Sequence, residues 1–417
     1  MKETEEILEL LNPWWKDNNI NKKLAKPYKR KTHKKILELH KHRQITLIYG
    51  LRRTGKTTLI YQNIEHLLKK HNPKHILYFT FDKKTKELTE ILEAYKELTK
   101  TNWKKEETHV FLDEITKLDD WANKIKLIYD ALPNIKFTIS SSSSIGLEEE
   151  AIKNLAGRYF PINLKPLNFT EYLELKGKNK YLQNTNLWEK EIKKELNSYL
   201  LRSFPETVEW ENKLLVKDYL RTTILDKIIK VDLQDKFRNV NRDLLSTLIE
   251  IFYSEPGMYL DYDSISKKLR ISKKTLTQHI YYLEYSYLLK RIRNFRINTF
   301  TTSRKLQKTY AYWWTLAYCY TNNQDRMMEN IVASSMDAKY YWRKNNKEID
   351  FLKLDGKKIQ PIEVKNTQEV TKNQLRNMKY FLGKYNIKEG QIVYKGIEKT
   401  EDEGKIRLQP LWKWMLE

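Results

Sequence analysis

Cysteine is almost missing from this sequence: Cys319 stands alone, which excludes an internal disulfide and a cysteine-built zinc cluster. Long apolar runs are missing too. None approaches the roughly 18 residues that a membrane-spanning helix needs, and no signal-peptide core opens the chain, so a soluble, cytoplasmic protein with no membrane partner is expected. Glycine is sparse, 11 in 417 residues, against abundant Lys, Glu, Ile and Tyr, a bias shared by thermophilic proteins and AT-rich genomes. Acidic charge is in deficit as well: 78 Lys and Arg face 54 Asp and Glu, leaving a formal net charge of +24. A chain this basic attracts polyanions, of which nucleic acid is the commonest, although a charge run also serves as a plain solvated face. The length accommodates about two to four domains with ample buried core.

What is present is organised around one stretch. An apolar run of strand type, Ile45 to Tyr49, breaks at Gly50 and restarts as a helix after Gly55. Gly50-Leu51-Arg52-Arg53-Thr54-Gly55-Lys56-Thr57 has the form G-x-x-x-x-G-K-[ST] of a phosphate-binding loop. The glycines let successive backbone N–H groups turn inward around phosphate oxygens, Lys56 reaches the β- and γ-phosphates, and Thr57 holds Mg²⁺. The candidate nucleotide contacts are therefore Gly50, Arg53, Thr54, Gly55, Lys56, Thr57 and Thr58, with ATP and Mg²⁺ as the implied cofactors.

Further strand-type runs, His75–Phe81, Thr108–Ile115, Ile135–Ser142 and Tyr159–Leu164, alternate with helical segments and imply a parallel three-layer α/β sheet. Asp113 and Glu114 end the second of them. Two adjacent carboxylates at a buried strand end are costly unless a cation is near, so Asp113 is read as a Mg²⁺ contact and Glu114 as the group that polarises the attacking water. Ser140 to Ser144, Ser141 among them, are either γ-phosphate sensors or an ordinary serine-rich loop. Arg158 is either an arginine finger for a neighbouring subunit's nucleotide, which implies a homo-oligomer, or a structural ion-pair residue. Upstream, Lys16 to Arg43 carry eleven Lys and Arg against Asp17 and Glu38. This basic arm is a strap that packs Trp14 and Trp15 on the core, or a contact to phosphates.

Asn12-Pro13-Trp14-Trp15, the phosphate loop, Asp113-Glu114, and Leu155-Ala156-Gly157-Arg158 followed by Leu164-Lys165-Pro166-Leu167-Asn168-Phe169-Thr170-Glu171-Tyr172 together resemble the archaeal and bacterial AAA+ ATPases of the STAND-related group. The resemblance implies a helical lid after the core, for which Thr185 to Asp235 is suitable. Where relatives carry Gly-Gly-Phe-Pro-Glu, this chain has Arg202-Ser203-Phe204-Pro205-Glu206, leaving Arg202 as a candidate second sensor.

Three helical patterns follow, Leu244–Tyr253, Ser264–Leu269 and Lys273–Tyr285, the last behind Ser272 as N-cap. With the run Leu288–Arg296 they look like a winged helix. Its recognition helix would offer Lys273, Lys274, Thr275, Thr277, Gln278 and His279 to base edges, and its wing would bring Lys290, Arg291, Arg293 and Arg296 to phosphates. The alternative is a protein-packing module. The aromatic stretch Tyr310–Tyr320 is a stacking surface or, by burial preference, core between two domains.

In the last third, Glu348-Ile349-Asp350 precedes an Asp355-Gly356 turn signal and then Pro361-Ile362-Glu363-Val364-Lys365. Residues two apart on a strand share a face, so Glu348 points with Asp350 and Glu363 with Lys365. Asp350, Glu363 and Lys365 repeat the D…E-x-K pattern of the PD-(D/E)XK nuclease fold, with Glu329 in the place of the helical acid and Gln374 on the following helix. Glu329, Asp350 and Glu363 would hold Mg²⁺ or Mn²⁺, and Lys365 would orient a hydroxide or stabilise the pentavalent phosphate. Glu329-Asn330-Ile331-Val332, Trp342-Arg343 and the two acidic strands resemble, in order, the domain that accompanies this ATPase family, which leaves an active nuclease and a non-cleaving scaffold both open.

The expected chain is an α/β multidomain protein: an N-terminal helix and basic arm (1–43), an AAA+ parallel-sheet P-loop core (44–184), a helical lid (185–239), a winged helix (240–303), and a restriction-endonuclease-like domain with its aromatic connector (304–417). The expected function is an ATPase that binds DNA and carries a metal-dependent nuclease. Its rivals are a STAND-type nucleotide switch and an assembly ATPase of a mobile element.

Overall fold

The computed structural model describes residues 2–81, 87–142, 151, 153–297 and 301–417, so Ser143 and Ser144 of the serine run lie outside the described residues. The chain divides into two compact units, one ending at Pro166 and one beginning at Leu167, ahead of the core boundary expected at 184.

In the first unit, β1 (Ile45–Tyr49), β2 (Ile76–Thr80), β3 (Thr108–Asp113), β4 (Ile135–Ser141) and β5 (Tyr159–Asn163) form a parallel sheet in the order β2-β3-β4-β1-β5. β1 and β3 are buried at every position, as strands covered on both faces must be. Helices Lys56–Leu67, Leu88–Thr99 and Trp121–Ala131 run between successive strands, matching the alternation in the sequence. β4 sits between β1 and β3, so the carboxyl ends of these three strands lie side by side. That crevice is where open α/β sheets bind ligands.

The free edge of β2 is covered by the N-terminal segment. The Asn12 side chain donates to the Tyr78 carbonyl at 2.9 Å and accepts the Tyr78 N–H at 2.7 Å, taking the place of a missing neighbour strand. The indoles of Trp14 and Trp15 both donate to the Ile76 carbonyl, at 3.1 and 2.8 Å. Arg30 of the basic arm donates to the carbonyls of Thr54, Lys165 and Pro166 at 3.1, 2.8 and 3.3 Å. The geometry of these residues is that of a strap.

The second unit begins with helices Phe169–Leu175, Glu189–Tyr199 and Lys213–Tyr219, the last continuing through π-helical turns at Leu220–Asp226 and Ile228–Asp232. Trp313 and Trp314 are buried; their indoles donate to Ser203 Oγ at 2.8 Å and to the Leu200 carbonyl at 3.0 Å. The aromatic stretch is therefore core.

Helices Arg242–Ser254, Tyr262–Leu269 and Lys273–Tyr285 accompany β6 (Met258–Tyr259), β7 (Leu289–Arg296) and β8 (Thr301–Ala311), with β8 antiparallel to both β6 and β7. β7 then pairs in parallel with β9 (Tyr340–Lys344), Arg293 opposite Tyr340 and Asn294 opposite Tyr341. Through this pairing the sheet continues into β10 (Lys347–Asp355), β11 (Lys358–Val364), β12 (Gly390–Tyr394), β13 (Lys399–Glu401) and β14 (Ile406–Pro410), giving the order β13-β14-β12-β11-β10-β9-β7-β8-β6. The domain boundary expected at 303/304 falls inside β8. One face is packed by the Lys372–Tyr385 helix, whose Met378 and Phe381 meet Trp342, Ile349 and Ile392 in a common core.

Candidate functional site

The phosphate loop is shaped by its glycines. Gly50 has φ +148°, and a Cβ there would lie 2.3 Å from the Leu164 carbonyl oxygen, so the approach of the loop to the end of β5 requires glycine. Gly55, at φ +93°, opens the Lys56–Leu67 helix. Lys56 is buried, and its Nζ donates to the Gly50 and Leu51 carbonyls at 3.0 and 3.1 Å, which holds the ammonium in the bend where phosphate charge would arrive. Thr54 braces the bend through its hydroxyl, 2.9 Å from the Leu51 carbonyl.

Asp113 receives three hydroxyls: Thr57 at 2.6 Å and Tyr78 at 3.2 Å on Oδ2, and Ser140 on Oδ1. Burial, reinforced by the charge of Glu114, holds its carboxyl above the usual carboxylate range. The Thr57 hydroxyl and Asp113 carboxylate fit Mg²⁺, which keeps one or two protein oxygens when phosphates and water complete its octahedron. Glu114 follows in a left-handed conformation, φ 53°. Its Oε2 accepts the N–H and hydroxyl of Ser142 at 3.1 and 2.8 Å, and its own N–H donates to Ser140 Oγ at 3.3 Å. Ser141 Oγ lies 2.9 Å from Thr116 Oγ1. Ser140 and Ser142 thus orient the two carboxylates, a role that neither sequence alternative named, and Tyr78 was not foreseen at all.

Two arginines fall elsewhere. Arg158 precedes β5 at the amino end of the sheet, opposite the loop, and makes a two-point ion pair with Asp130 at 2.7 and 3.0 Å. Arg202 is buried and donates to the carbonyls of Trp210 and Glu211 at 2.5 and 2.7 Å, so its guanidinium holds a turn of the second unit.

In the second unit Asp350, Glu363 and Lys365 do come together. The Asp350 N–H donates to Glu363 Oε2 at 3.3 Å, the Val364 N–H to Asp350 Oδ2 at 2.8 Å, and Lys365 Nζ to Glu363 Oε1 at 2.7 Å. The residue that sequence reasoning missed is Lys308 on β8. Its buried Nζ lies 2.5 Å from Glu348 Oε1, 3.1 Å from Glu329 Oε1 and 4.0 Å from Asp350 Oδ1. Tyr310 donates to Glu329, and Tyr259 of β6 to Glu348. Burial pushes the Asp350 and Glu363 carboxyls up, with the charge of Glu363 adding for Asp350. Lys308 is held above the usual lysine range: burial pulls it down, but Tyr310, Glu329, Asp350 and Glu348 outweigh that pull.

These donors do not fit the expected divalent ion. Among the described residues, ligand atoms of Glu329, Asp350 and Glu363 do not gather within 4.8 Å of one another. The cations among them are the Lys365 ammonium and that of Lys308, which comes in on β8, a strand that the sequence reading did not foresee. Gln374 caps its own helix, its side chain accepting the Thr371 N–H at 2.8 Å. A cavity of about 580 Å³ opens beside the cluster, its wall carrying Tyr259, Lys308, Glu348, Arg326 and Arg343.

Residues 42–173 match a family described as an AAA domain. The first unit has an AAA-type P-loop ATPase fold. Residues 193–325 and 325–414 match two families described as domains of unknown function, DUF8612 and DUF4143. An uncharacterized protein of Methanocaldococcus jannaschii is 27% identical over 404 residues, covering 89% of this chain and 88% of the relative. An uncharacterized protein of Haemophilus influenzae is 23% identical over 393 residues, covering 89% and 94%. A Walker-type ATPase of Pyrococcus abyssi superposes with a TM-score of 0.41 at 15% identity, covering 73% of this chain and 97% of that one.

Outside the AAA domain, the Lys273–Tyr285 helix is capped by Ser272, whose Oγ accepts the Thr275 N–H at 3.0 Å. It exposes Lys273, Lys274, Thr277 and Gln278, whereas His279 is buried and its Nε2 accepts the Asn241 N–H at 3.1 Å. On β7, Arg293 and Arg296 are exposed. Lys290 pairs with Asp337. Arg291 Nε donates to Glu284 Oε1 at 2.7 Å, and the guanidinium also reaches Tyr262 and Gln307. Lys290 and Arg291, expected on phosphates, are engaged within the fold.

Proposed function

We propose that the protein is an ATP-hydrolysing, DNA-binding nucleotide switch whose carboxylate cluster is a non-cleaving scaffold. The observation that carries the ATPase reading is the convergence of Lys56 and Thr57, on the loop and helix after β1, with Asp113 and Glu114 at the carboxyl end of β3. ATP phosphates would displace the carbonyls from Lys56 and take up the loop N–H groups. Thr57 and Asp113 would hold Mg²⁺, which neutralises charge developing on the transferred phosphoryl group. Glu114, fixed by Ser142, would orient the attacking water and accept its proton.

DNA binding is supported by the net charge of +24 and by the exposed Lys273, Lys274, Thr277 and Gln278 on one capped helix. The order helix, short strand, two helices and an antiparallel strand pair supports a winged helix there. Cleavage is the second reading, favoured by Asp350, Glu363 and Lys365 side by side. Lys308 among the carboxylates weighs against it, because a resident ammonium meets the charge that a catalytic ion would otherwise meet.

The test is purified protein with linear, circular and branched DNA, with ATP and either Mg²⁺ or Mn²⁺. ATP turnover, DNA binding and intact DNA are expected. Absence of turnover would overturn the ATPase reading, absence of binding the DNA reading, and cutting that Asp350→Asn abolishes the scaffold reading.

A further inference from the structure

At the end of the AAA sheet away from the phosphate loop, His71 follows the Lys56–Leu67 helix, while Glu107 and His109 flank Thr108 at the start of β3. One ligand atom from each of His71, Glu107 and His109 lies within 4.8 Å of the other two, the only such group of metal-ligand side chains among the described residues. The imidazoles meet edge to face with centroids 4.5 Å apart. His109 is 4% exposed, and its Nε2 is buried without a hydrogen-bond partner. A buried nitrogen left unpaired is costly, and so rare that it calls for a reason. Glu107 Oε1 stands 3.6 Å from that nitrogen, beyond a hydrogen bond but placed to share an ion with it.

We propose that His71, Glu107 and His109 form a binding site for a borderline divalent metal, with Zn²⁺ as the ion of choice. Two imidazole nitrogens and one carboxylate oxygen are a zinc donor set; Mg²⁺ and Ca²⁺ take oxygen ligands instead, which separates this site from the one at Thr57 and Asp113. Lys136 Nζ lies 3.5 Å from the same Glu107 oxygen, and its side chain, one-third exposed, has room to swing into solvent when an ion arrives. The metal would tie the far end of the Lys56–Leu67 helix to the far end of β3. Those are the two elements whose near ends present Lys56, Thr57 and Asp113, so the ion would brace the nucleotide site from behind.

The test uses the full chain, stripped with a chelator and titrated with Zn²⁺ in the absence of nucleotide and Mg²⁺. One equivalent should bind, and Co²⁺ in its place should give the visible d–d absorption of a low-coordinate site. Glu107 is exposed and His71 half-buried, so His71→Asn and Glu107→Gln should leave the circular dichroism spectrum intact while weakening Zn²⁺ roughly tenfold or more, by comparison with the 10- to 100-fold cost of losing outer-shell partners alone. Asp113→Asn should still bind its one equivalent, which excludes the phosphate-loop site as the seat. Wild-type protein that takes up no Zn²⁺, or a folded His71→Asn/Glu107→Gln double variant that binds it as tightly as wild type, overturns the proposal.

Discussion

Replacing Lys308 by methionine keeps most of the side-chain volume and removes the buried cation that contacts Glu329 and Glu348 at 3.1 and 2.5 Å. At an effective dielectric of about 20, a unit pair roughly 3 Å apart is worth about 5 kcal/mol. The ammonium's own desolvation offsets much of that, and removing one partner of a buried pair costs about 3–5 kcal/mol in practice. At about 2–4 °C per kcal/mol for a unit of this size, thermal unfolding at pH 8 should move down by roughly 6–20 °C. The penalty should depend on pH in one direction. Burial already holds Asp350 and Glu363 above the usual carboxylate range, so the neutral acids are favoured in the fold. Stability tied to them is fully present below the unfolded carboxyl pKa and is lost as pH rises through the folded value. Lys308→Met should therefore lie closest to wild type in acid and diverge from it toward alkaline pH. Scanning calorimetry of both proteins from pH 5 to 8 checks this. A variant as stable as wild type at pH 8, or a deficit that is flat across the range, would refute the view that Lys308 is the resident counter-ion.

Three further outcomes follow from the same geometry. Lys56→Ala should abolish nucleotide binding, while Glu114→Gln should keep it and lose turnover by roughly 10²- to 10⁴-fold, measured by fluorescent-nucleotide titration and phosphate release; equal turnover in the Glu114 variant would contradict its role. Neutralising Lys273, Lys274 and Arg293 should weaken DNA binding and flatten its dependence on salt by about one unit of slope per lost phosphate contact. Arg291→Ala should leave that slope unchanged and lower stability instead, because it removes a half-buried guanidinium that bonds Glu284, Tyr262 and Gln307. His40 has its pKa lowered to about 4 by burial first, with Lys136 adding. Its contribution to stability is complete above pH 6.5 and is lost as pH falls toward the folded value, at up to about 1.4 kcal/mol per pH unit, so urea unfolding midpoints should drop between pH 7 and 5 and do so less in His40→Gln.

How much of this was legible depends on how local the signal is. The phosphate loop, the Asp113-Glu114 pair and the Lys273–Tyr285 helix are each specified within a dozen or so residues, and all three lie where the sequence puts them. Asp350, Glu363 and Lys365 were legible because strand parity and one tight turn fix their register. Lys308 was not, because it reaches the cluster only through the parallel pairing of β7 with β9, and no local pattern encodes which distant strand a parallel neighbour will be. The same parity rule did contain a clue: Lys308 and Tyr310 share a face, and a lysine beside buried aromatics needs an acid. Arg291 read as a phosphate ligand for the opposite reason, since its partner Glu284 faces it only after folding, and of the two roles open to Arg158 the ion pair, with Asp130, is the one the structure has.

The pairing of β7 with β9 also constrains what evolution can do with this chain. The two families of unknown function meet at residue 325, yet the sheet runs straight across that point, from strands before it to strands after it. A gene that inherited only the later segment would encode a β9 with one bare edge, and a bare edge recruits strands from other molecules. It would also bring Glu329, Glu348 and Asp350 into the interior without Lys308. The later segment therefore leans on the earlier one. They should be inherited as a pair, and a lineage that sheds the first should carry either a substitute edge strand or neutral residues where the acids stood.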